Sequence, residues 1–284
     1  MRILITGAAG MLGQDLGEAA GAAGHEVFGL ARAELDVTDA DAVEASVARA
    51  RPDVVINSAA WTDVDGAEAE ETQATLVNGA GAGNVAGAAA RAGAWTIHVS
   101  SDYVFDGAKR EPYLESDRVG PESAYGRSKL AGEREVARAA RERHTTVRSS
   151  WLFGAGGSCF PRTIARLAAE RDALTVVDDQ VGCPTFTGHL AATLVQLATA
   201  PGGPPAGVLH VAAAGECSWF EFATEIVAAS GLTCEVKPGL SGELTRPAPR
   251  PAYSVMRSER GAPALPHWNA GLAEYMRLAE RAAA

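Results

Sequence analysis

The sequence of 284 residues lacks any run of about eighteen apolar residues, the length that a helix needs to cross a bilayer. Its amino terminus also lacks the apolar core of a signal peptide, so we expect a cytoplasmic protein with no membrane partner. It has only 4 cysteines and 6 histidines, which are widely spaced and include no Cys-x-x-Cys pair. This scarcity argues against a structural zinc site or a dithiol redox motif.

Positive charge is also scarce. The sequence has 25 Lys and Arg against 35 Asp and Glu, which gives a formal net charge of -10. Proteins that bind nucleic acids need a basic surface, so no nucleic-acid partner is expected. A small molecule that carries phosphate remains compatible with this charge, because local arginines and the amino terminus of a helix can hold one.

The first half of the sequence alternates short β-rich runs with segments that favour helix. The predicted strands are 2–6, 26–31, 54–57, 95–100 and 145–149, and the predicted helices are 11–23, 38–51, 70–92 and 123–143. Strands that are joined by helices of this length need crossover connections, which build a parallel sheet. The sequence therefore predicts an α/β fold with a doubly wound, Rossmann-type parallel sheet.

After about residue 150 this alternation loosens. Helices are predicted at 160–171, 188–200, 219–230 and 271–282. We predict a dinucleotide-binding domain over residues 1–150 and a smaller, mainly substrate-binding lobe over residues 151–284, with a chain that is free to cross back to the first domain. Substrates of open α/β sheets bind at the carboxyl edge of the strands, which such a lobe would cover.

A glycine-rich turn follows the first predicted strand directly and opens the first helix. Gly7, Gly10 and Gly13 have the spacing of a nucleotide-binding turn. Gly7 would allow the tight turn, Gly10 would let the backbone approach a pyrophosphate, and Gly13 would allow close packing of helix on strand. Together with Met11 and Leu12, the motif predicts a dinucleotide cofactor; the alternative is an ordinary strand-to-helix turn.

The end of the second predicted strand bears on which cofactor binds. NAD-preferring sites usually have a carboxylate there, and residues 30–32 contain none. Arg32 could pair with a 2′-phosphate, so NADPH is predicted with NADH tolerated, unless Arg32 is only a solvated loop charge. Further candidates for cofactor contact follow the strands: Asp36, Val37, Ala59, Ala60 and Trp61. For Trp61, packing in the core is an equal alternative.

A Tyr-x-x-x-Lys unit predicts proton transfer to a carbonyl oxygen. Tyr125 and Lys129 are i and i+4 on a predicted helix and would share one face. A nearby ammonium lowers the pKa of a phenol, so Tyr125 is predicted as the proton donor and Lys129 as its pKa tuner and a ribose ligand. Ser101 would hydrogen-bond the carbonyl oxygen, and Asp102 would bind substrate hydroxyls or stabilise a turn. The alternative for the Tyr–Lys pair is an exposed pair of helix residues.

These motifs resemble those of the extended short-chain dehydrogenase/reductases, and more closely those of the dTDP-4-dehydrorhamnose reductases. The matching segments are 4–13 (LITGAAGMLG), 35–39 (LDVTD), 51–57 (RPDVVIN), 99–107 (VSSDYVFDG), 125–133 (YGRSKLAGE), 148–154 (RSSWLFG) and 179–185 (DQVGCPT). The likeness spans most of the chain and is weakest after about residue 232.

The resemblance implies NADPH-dependent reduction of the C4 ketone of a dTDP-4-keto-6-deoxy sugar, to dTDP-L-rhamnose or a related deoxysugar. It also implies that Trp151 lies near the sugar and Arg250 near the diphosphate. Some family members bind magnesium at a dimer contact, which leaves a homodimer open, but no carboxylate cluster here requires a metal, and none is predicted. Ser101 replaces the usual threonine and Tyr253 the expected asparagine, so the sugar itself stays open.

Two other functions are compatible with this fold. A nucleotide-sugar epimerase or dehydratase keeps NAD and usually has an acidic residue at the end of the second strand, and a dehydratase would want a glutamate next to Asp102. A non-catalytic regulatory subunit, like the β subunit of methionine adenosyltransferase, would share the fold. The complete set of Ser101, Tyr125 and Lys129 argues against such a subunit.

Overall fold

The computed structural model describes residues 1–283, with side chains described up to residue 281. The strands are β1 (Arg2–Thr6), β2 (Glu26–Leu30), β3 (Val54–Asn57), β4 (Trp95–Ser101), β5 (His144–Ser149), β6 (Leu152–Phe153), β7 (Ala173–Val177), β8 (Val181–Gly182), β9 (Thr185–Phe186), β10 (Gly207–His210), β11 (Cys217–Ser218) and β12 (Glu235–Gly239). The α-helices are α1 (Met11–Ala22), α2 (Ala40–Ala50), α3 (Gly66–Ala69), α4 (Glu71–Thr75), α5 (Ala82–Arg91), α6 (Ala124–Ala140), α7 (Phe160–Glu170), α8 (Thr187–Ala198), α9 (Trp219–Ala229) and α10 (Trp268–Ala283).

Strands from both halves of the chain form the central 6-stranded sheet, in the order β10-β5-β4-β3-β1-β2. Every neighbouring pair in this sheet is parallel. The strand order reverses between β1 and β3, and ligands of doubly wound sheets bind at such a reversal, beyond the carboxyl ends of the strands. The predicted α/β fold with a Rossmann-type parallel sheet is confirmed.

Helices cover both faces of the sheet. On one face, Ile3 and Ile5 of β1 belong to the same buried cluster as Leu16 of α1 and Leu190 of α8. On the other face, Leu4 packs in a cluster with side chains of α2 and α5. Because both faces of β1 are buried, its sequence is a continuous apolar run rather than an alternating one.

The chain after residue 150 contributes directly to the sheet layers. Strand β10 pairs with β5 at the edge of the sheet, and α8 packs against α1. The strand at β10 was missed, because it contains only four residues after the proline-rich segment 201–205. The division into residues 1–150 and 151–284 stays a prediction.

The prediction of one continuous helix over residues 70–92 is wrong. The structure has α4, then a π-helical turn over Leu76–Gly81, then α5. Such turns hold an extra residue and often occur at functional sites. Here the turn carries Asn78, whose side chain bonds to the backbone of another segment rather than facing solvent.

Within residues 1–283, no helix is long and apolar enough to cross a bilayer.

Candidate active site

The glycine turn lies at the reversal of strand order. Gly7 follows β1 with a φ of 72°, in the region that favours glycine. A Cβ on Gly13 would lie 2.2 Å from the carbonyl oxygen of Gly7, and one on Gly7 would lie 2.7 Å from the amide nitrogen of Ala59. Two of the three glycines are therefore needed for close backbone approach, as expected.

The amino terminus of α1 fits a dinucleotide. Gly10 is its N-cap, and no side chain among the described residues caps it, so its first amides are left for an anionic ligand. Met11 is half-buried beside the loop at Gly154 and Gly157. The side chain of Leu12 is buried in the core, so only its backbone could meet a cofactor.

The end of β2 is built around a turn. Arg32 is exposed, and the carboxylate of Glu34 accepts a hydrogen bond from the Ala31 amide at 2.8 Å. Asp36 accepts hydrogen bonds from the amide and hydroxyl of Thr38 at 2.9 and 2.8 Å, and these bonds lower the pKa of Asp36. Both carboxylates are thus engaged by the protein, whereas the charge of Arg32 faces solvent.

Asn78 fixes the loop that follows β3, and sequence reasoning missed this residue. Its side-chain oxygen accepts from the Trp61 amide at 2.8 Å, and its amide donates to the Trp61 carbonyl at 3.1 Å and to the Ser128 hydroxyl at 2.8 Å. The half-buried Trp61 packs in the same apolar cluster as Tyr125. The only signal in the sequence was an Asn inside an alanine-rich helix, where that residue is disfavoured.

Three further cofactor candidates flank these loops. The side chain of Val37 is buried and faces Gly81 of the π-helical turn. Ala59 and Ala60 are half-buried after β3, and Ala59 lies next to Gly7. Small side chains at these two positions keep the crevice between β1 and β3 open.

Four side chains form the catalytic face, a name used below for Ser101, Asp102, Tyr125 and Lys129. Ser101 ends β4, and Tyr125 and Lys129 lie one turn apart on α6. The Ser101 hydroxyl donates to Asp102 at 2.9 Å and accepts from the Tyr103 amide at 3.2 Å. The Tyr103 and Tyr125 rings meet edge to face with centroids 5.3 Å apart, and the Ser101 hydroxyl interacts with the Tyr125 phenol. Ser101 and Tyr125 therefore come together, and Lys129 follows one turn further along α6.

The expected lowering of the phenol pKa is wrong for this structure. Burial, followed by the charge of Asp102, raises the pKa of Tyr125 to about 12, and an interaction with Ser101 only partly opposes this rise. Lys129 donates instead to the Val99 carbonyl at 2.7 Å. Burial lowers the pKa of Lys129 to about 8, against the opposing charge of Glu133. At neutral pH the phenol is therefore protonated and the lysine mostly cationic.

Asp102 is a buried carboxyl, 1% exposed. Burial raises its pKa to about 6, while interactions with Ser254 and Ser101 oppose the rise. Among the described residues, no side chain or backbone group hydrogen-bonds its Oδ2 atom. A buried acceptor without a partner is costly, so a ligand hydroxyl that satisfied it would be held firmly.

A buried ion pair anchors the helix that carries Tyr125 and Lys129. Arg148 of β5 donates to both carboxylate oxygens of Glu133, at 2.8 and 2.7 Å. The hydroxyl of Ser100 on β4 donates to the same carboxylate at 2.6 Å. Removing one partner of such a pair typically costs about 3–5 kcal/mol, so α6 is strongly fixed against the sheet. Sequence reasoning missed this pair, because nothing local links residues on different elements.

Three side chains from later segments are grouped below under the name C-terminal wall: Trp151 and Trp219, which contact each other, and Arg250, which lies beside Tyr103. Trp151 follows β5 with a φ of 47°, and its indole stacks on that of Trp219 with ring centroids 3.6 Å apart. Arg250 donates to both carboxylate oxygens of Asp65, at 3.0 and 2.7 Å, and to the Ala248 carbonyl at 2.8 Å. Arg250 is thus already paired, which its sequence did not indicate.

Titratable side chains elsewhere do not group as metal ligands. Across the described part of the chain, no three His, Cys, Asp or Glu side chains lie together as a metal ion would require. The chemistry available at the site is therefore that of a phenol, a hydroxyl, an ammonium and a carboxyl beside a turn that fits a dinucleotide.

Comparison with known proteins agrees with this arrangement. Residues 1–280 match the family described as RmlD substrate binding domain. The chain belongs to this family. A relative from Mycolicibacterium smegmatis, dTDP-4-dehydrorhamnose reductase, is 47% identical over 266 residues, 93% of this chain and 80% of its own. The spore coat polysaccharide biosynthesis protein SpsK of Bacillus subtilis is 41% identical over 286 residues, 100% of this chain and 99% of its own.

A solved structure of a family member extends the comparison to three dimensions. The dTDP-4-dehydrorhamnose reductase of Bacillus anthracis, solved in complex with NADP, is 36% identical and has a TM-score of 0.92. The match covers 98% of this chain and 99% of that chain. The resemblance drawn from the sequence motifs is confirmed.

Proposed function

We propose that this protein is an NADPH-dependent reductase of the C4 ketone of a dTDP-4-keto-6-deoxy sugar, giving dTDP-L-rhamnose or a related deoxysugar. The observation that carries the proposal is the meeting of Ser101, Tyr125 and Lys129 at the carboxyl edge of the sheet, beside a turn that fits a dinucleotide. Membership of a family that includes named dTDP-4-dehydrorhamnose reductases supports the choice of substrate.

The cofactor assignment follows from the crevice between β1 and β3. The bound dinucleotide supplies a hydride to the carbonyl carbon. The amides at the start of α1 bind its pyrophosphate, together with Gly7, Gly10 and Gly13. The exposed guanidinium of Arg32 pairs with the 2′-phosphate, and a relative solved with NADP supports NADPH. NADH lacks that phosphate and would bind more weakly.

The ketone oxygen takes its proton from Tyr125. A pKa raised to about 12 keeps this phenol protonated at neutral pH, which is the form that reduction needs. The cationic Lys129, on the same face of α6, stabilises the phenolate that remains and binds the nicotinamide ribose. Ser101 positions the carbonyl oxygen when its single O–H, which donates to Asp102 in this structure, turns to the bound ketone.

The nucleotide-sugar lies between the catalytic face and the C-terminal wall. The unpaired Oδ2 atom of Asp102 accepts a hydrogen bond from a sugar hydroxyl. Trp151 offers apolar surface to the sugar ring. One edge of the Arg250 guanidinium pairs with Asp65, and the guanidinium also lies beside the Tyr103 phenol. Its Nε–H and second Nη2–H form a fork that suits a diphosphate oxygen pair.

A direct assay of cofactor oxidation and product formation tests the function. Purified protein with NADPH and dTDP-4-dehydrorhamnose should consume reduced nicotinamide and yield an equal amount of dTDP-sugar alcohol. The matched control is the same mixture without the sugar. Loss of reduced nicotinamide without the alcohol, or no loss while NADPH still binds, would contradict the proposal, and the second result would favour a non-catalytic subunit.

A further inference from the structure

The backbone at Trp151 is strained, and the strain must be held by its surroundings. A φ of 47° lies in the left-handed region, which is uncommon for a bulky residue. Such conformations persist only where neighbouring structure enforces them, and they concentrate at functional sites. The question is therefore which side chains keep the Trp151 indole in its place.

Trp219 makes the most extensive of these contacts. The two indole planes differ by only 4°, with centroids 3.6 Å apart, so the rings overlap face to face. Trp219 is itself held at the start of α9, where Ser218 and Glu221 form a reciprocal capping box. Its ring also contacts Phe160 of α7, with centroids 4.4 Å apart.

A second contact with the Trp151 indole comes from Gly182. Gly182 lies so close to Trp151 that a Cβ there would stand 2.4 Å from the Cε2 atom of the indole. Gly182 pairs with Cys217, two residues before Trp219, in the β8–β11 ribbon. The ribbon therefore carries Gly182 and leads directly into Trp219, the two residues that confine the Trp151 indole.

The same ribbon reaches the catalytic face. Cys183 follows Gly182, and its carbonyl accepts a hydrogen bond from Ser150, the residue before Trp151, at 2.8 Å. Burial raises the pKa of the Cys183 thiol, and the nearby charge of Asp102 adds to that rise. The position of the Trp151 indole is thus linked to the position of the Asp102 carboxyl by a short series of contacts.

We propose that Trp219 is a positioning residue for substrate recognition: without touching the nucleotide-sugar, it holds the Trp151 indole at the angle that receives the sugar. The inference rests on the proposed function, because it assumes that Trp151 faces the sugar. Face-to-face contact with an aromatic ring, together with the close approach of Gly182, leaves Trp151 one orientation. Loss of the Trp219 ring removes that restriction.

Steady-state kinetics of W219A tests the proposal. The KM for dTDP-4-dehydrorhamnose should rise about tenfold, with the KM for NADPH and kcat each within about threefold of the wild type. W219F keeps an aromatic ring against Trp151 and should recover most of the loss. G182A pushes on the indole from the ribbon and should raise the same KM. The matched control is W95F, which removes an indole at the amino end of β4, remote from the site.

The double variant W151A/W219A separates positioning from general stability. If Trp219 acts through Trp151, then adding W219A to W151A should change the sugar KM by less than twofold. Additive effects, an equal rise in both KM values, or an unchanged sugar KM in W219A would overturn the proposal. If W219A does not fold, G182A, which moves the same indole, carries the test: an unchanged sugar KM in G182A would overturn the proposal.

The proposed function can fail separately from this inference. Absence of turnover in the wild type would overturn the function alone. Binding of dTDP-4-dehydrorhamnose, measured by calorimetry in the wild type and in W219A, would then carry the test. Equal affinity in the two proteins would overturn the positioning role, and a loss of about tenfold in W219A would support it.

Discussion

The catalytic face and the C-terminal wall are held in different ways. Ser101 belongs to β4, and Tyr125 and Lys129 belong to α6. The Ser100–Glu133 hydrogen bond joins this strand to this helix, and the buried Glu133–Arg148 pair ties the same helix to β5. The wall is assembled from a residue after β5, the start of α9 and an extended segment near Arg250. Its members are held by contacts between distant segments, such as the Asp65–Arg250 ion pair.

This difference indicates which kinetic constant each region should control. Proton transfer needs fixed geometry, and sites on helices and strands are held more precisely than sites on loops. Recognition of a particular sugar changes with the side chains that loops and short ribbons present. Changes at the catalytic face should therefore act on kcat, and changes at the wall should act on KM for the nucleotide-sugar.

The largest effect is expected at Tyr125. Y125F removes the proton donor but keeps the ring, so kcat should fall about a hundredfold to a thousandfold, typical of a positioned acid. The KM for the sugar should change little. Thermal unfolding should match the wild type, which serves as the control for folding. Undiminished turnover in Y125F would contradict the proposed mechanism and the assignment of kcat to the catalytic face.

Asp102 should give the catalytic face a distinctive dependence of stability on pH. Because its folded pKa is raised to about 6, the folded state holds this proton more tightly than the unfolded state, whose carboxyl titrates near 3.8. The contribution of Asp102 to the free energy of unfolding should thus fall by about 3 kcal/mol as pH rises from below 3.8 to above 6, and the difference between the wild type and D102N isolates it. Denaturant titrations of the wild type and D102N would measure it; an identical pH dependence in both would contradict it.

Arg250 distinguishes ligand binding at the wall from a purely structural ion pair. R250Q should raise the KM for the nucleotide-sugar and the Kd of dTDP about tenfold, because a charged hydrogen-bonding fork is lost. D65N removes the carboxylate that orients this fork and should cost less. R250K keeps the charge without the fork and should lie between. Equal dTDP affinity in R250Q and the wild type, with both R250Q and D65N less stable, would indicate a structural pair alone.

A smaller effect, of about fivefold, is expected at Arg32, outside both regions. R32A should weaken NADPH by this factor and leave NADH within twofold, because only NADPH carries the 2′-phosphate. Steady-state KM values for the two cofactors would measure this. Equal losses for both would show that Arg32 does not contact that phosphate.

Much of the sheet and of the catalytic face could be predicted, because the sequence motifs that indicate them are local. The glycine spacing after β1 and the i, i+4 pair on α6 each lie within one short segment. The interruption by Leu76–Gly81 was not predictable, since it depends on Asn78 reaching the backbone of Trp61. Strand β10 was missed because four residues give too little periodicity.

The wall was harder to predict because its contacts join distant segments. Trp151 was singled out by resemblance alone, and nothing near it in sequence pointed to Trp219. The partner of Arg250 is Asp65, 185 residues away. The raised pKa of Tyr125 was also missed, because it depends on burial and on the Asp102 charge, whereas the spacing of Lys129 indicated only a nearby ammonium.

The most direct test of the account follows the hydride. NADPH in which both hydrogens at C4 of the nicotinamide ring are deuterium is incubated with the protein and dTDP-4-dehydrorhamnose, and the product is analysed by NMR. The account predicts one deuterium at C4 of the sugar, with the new hydroxyl hydrogen drawn from solvent. A product without deuterium at that carbon, or deuterium at another position of the sugar, would contradict it.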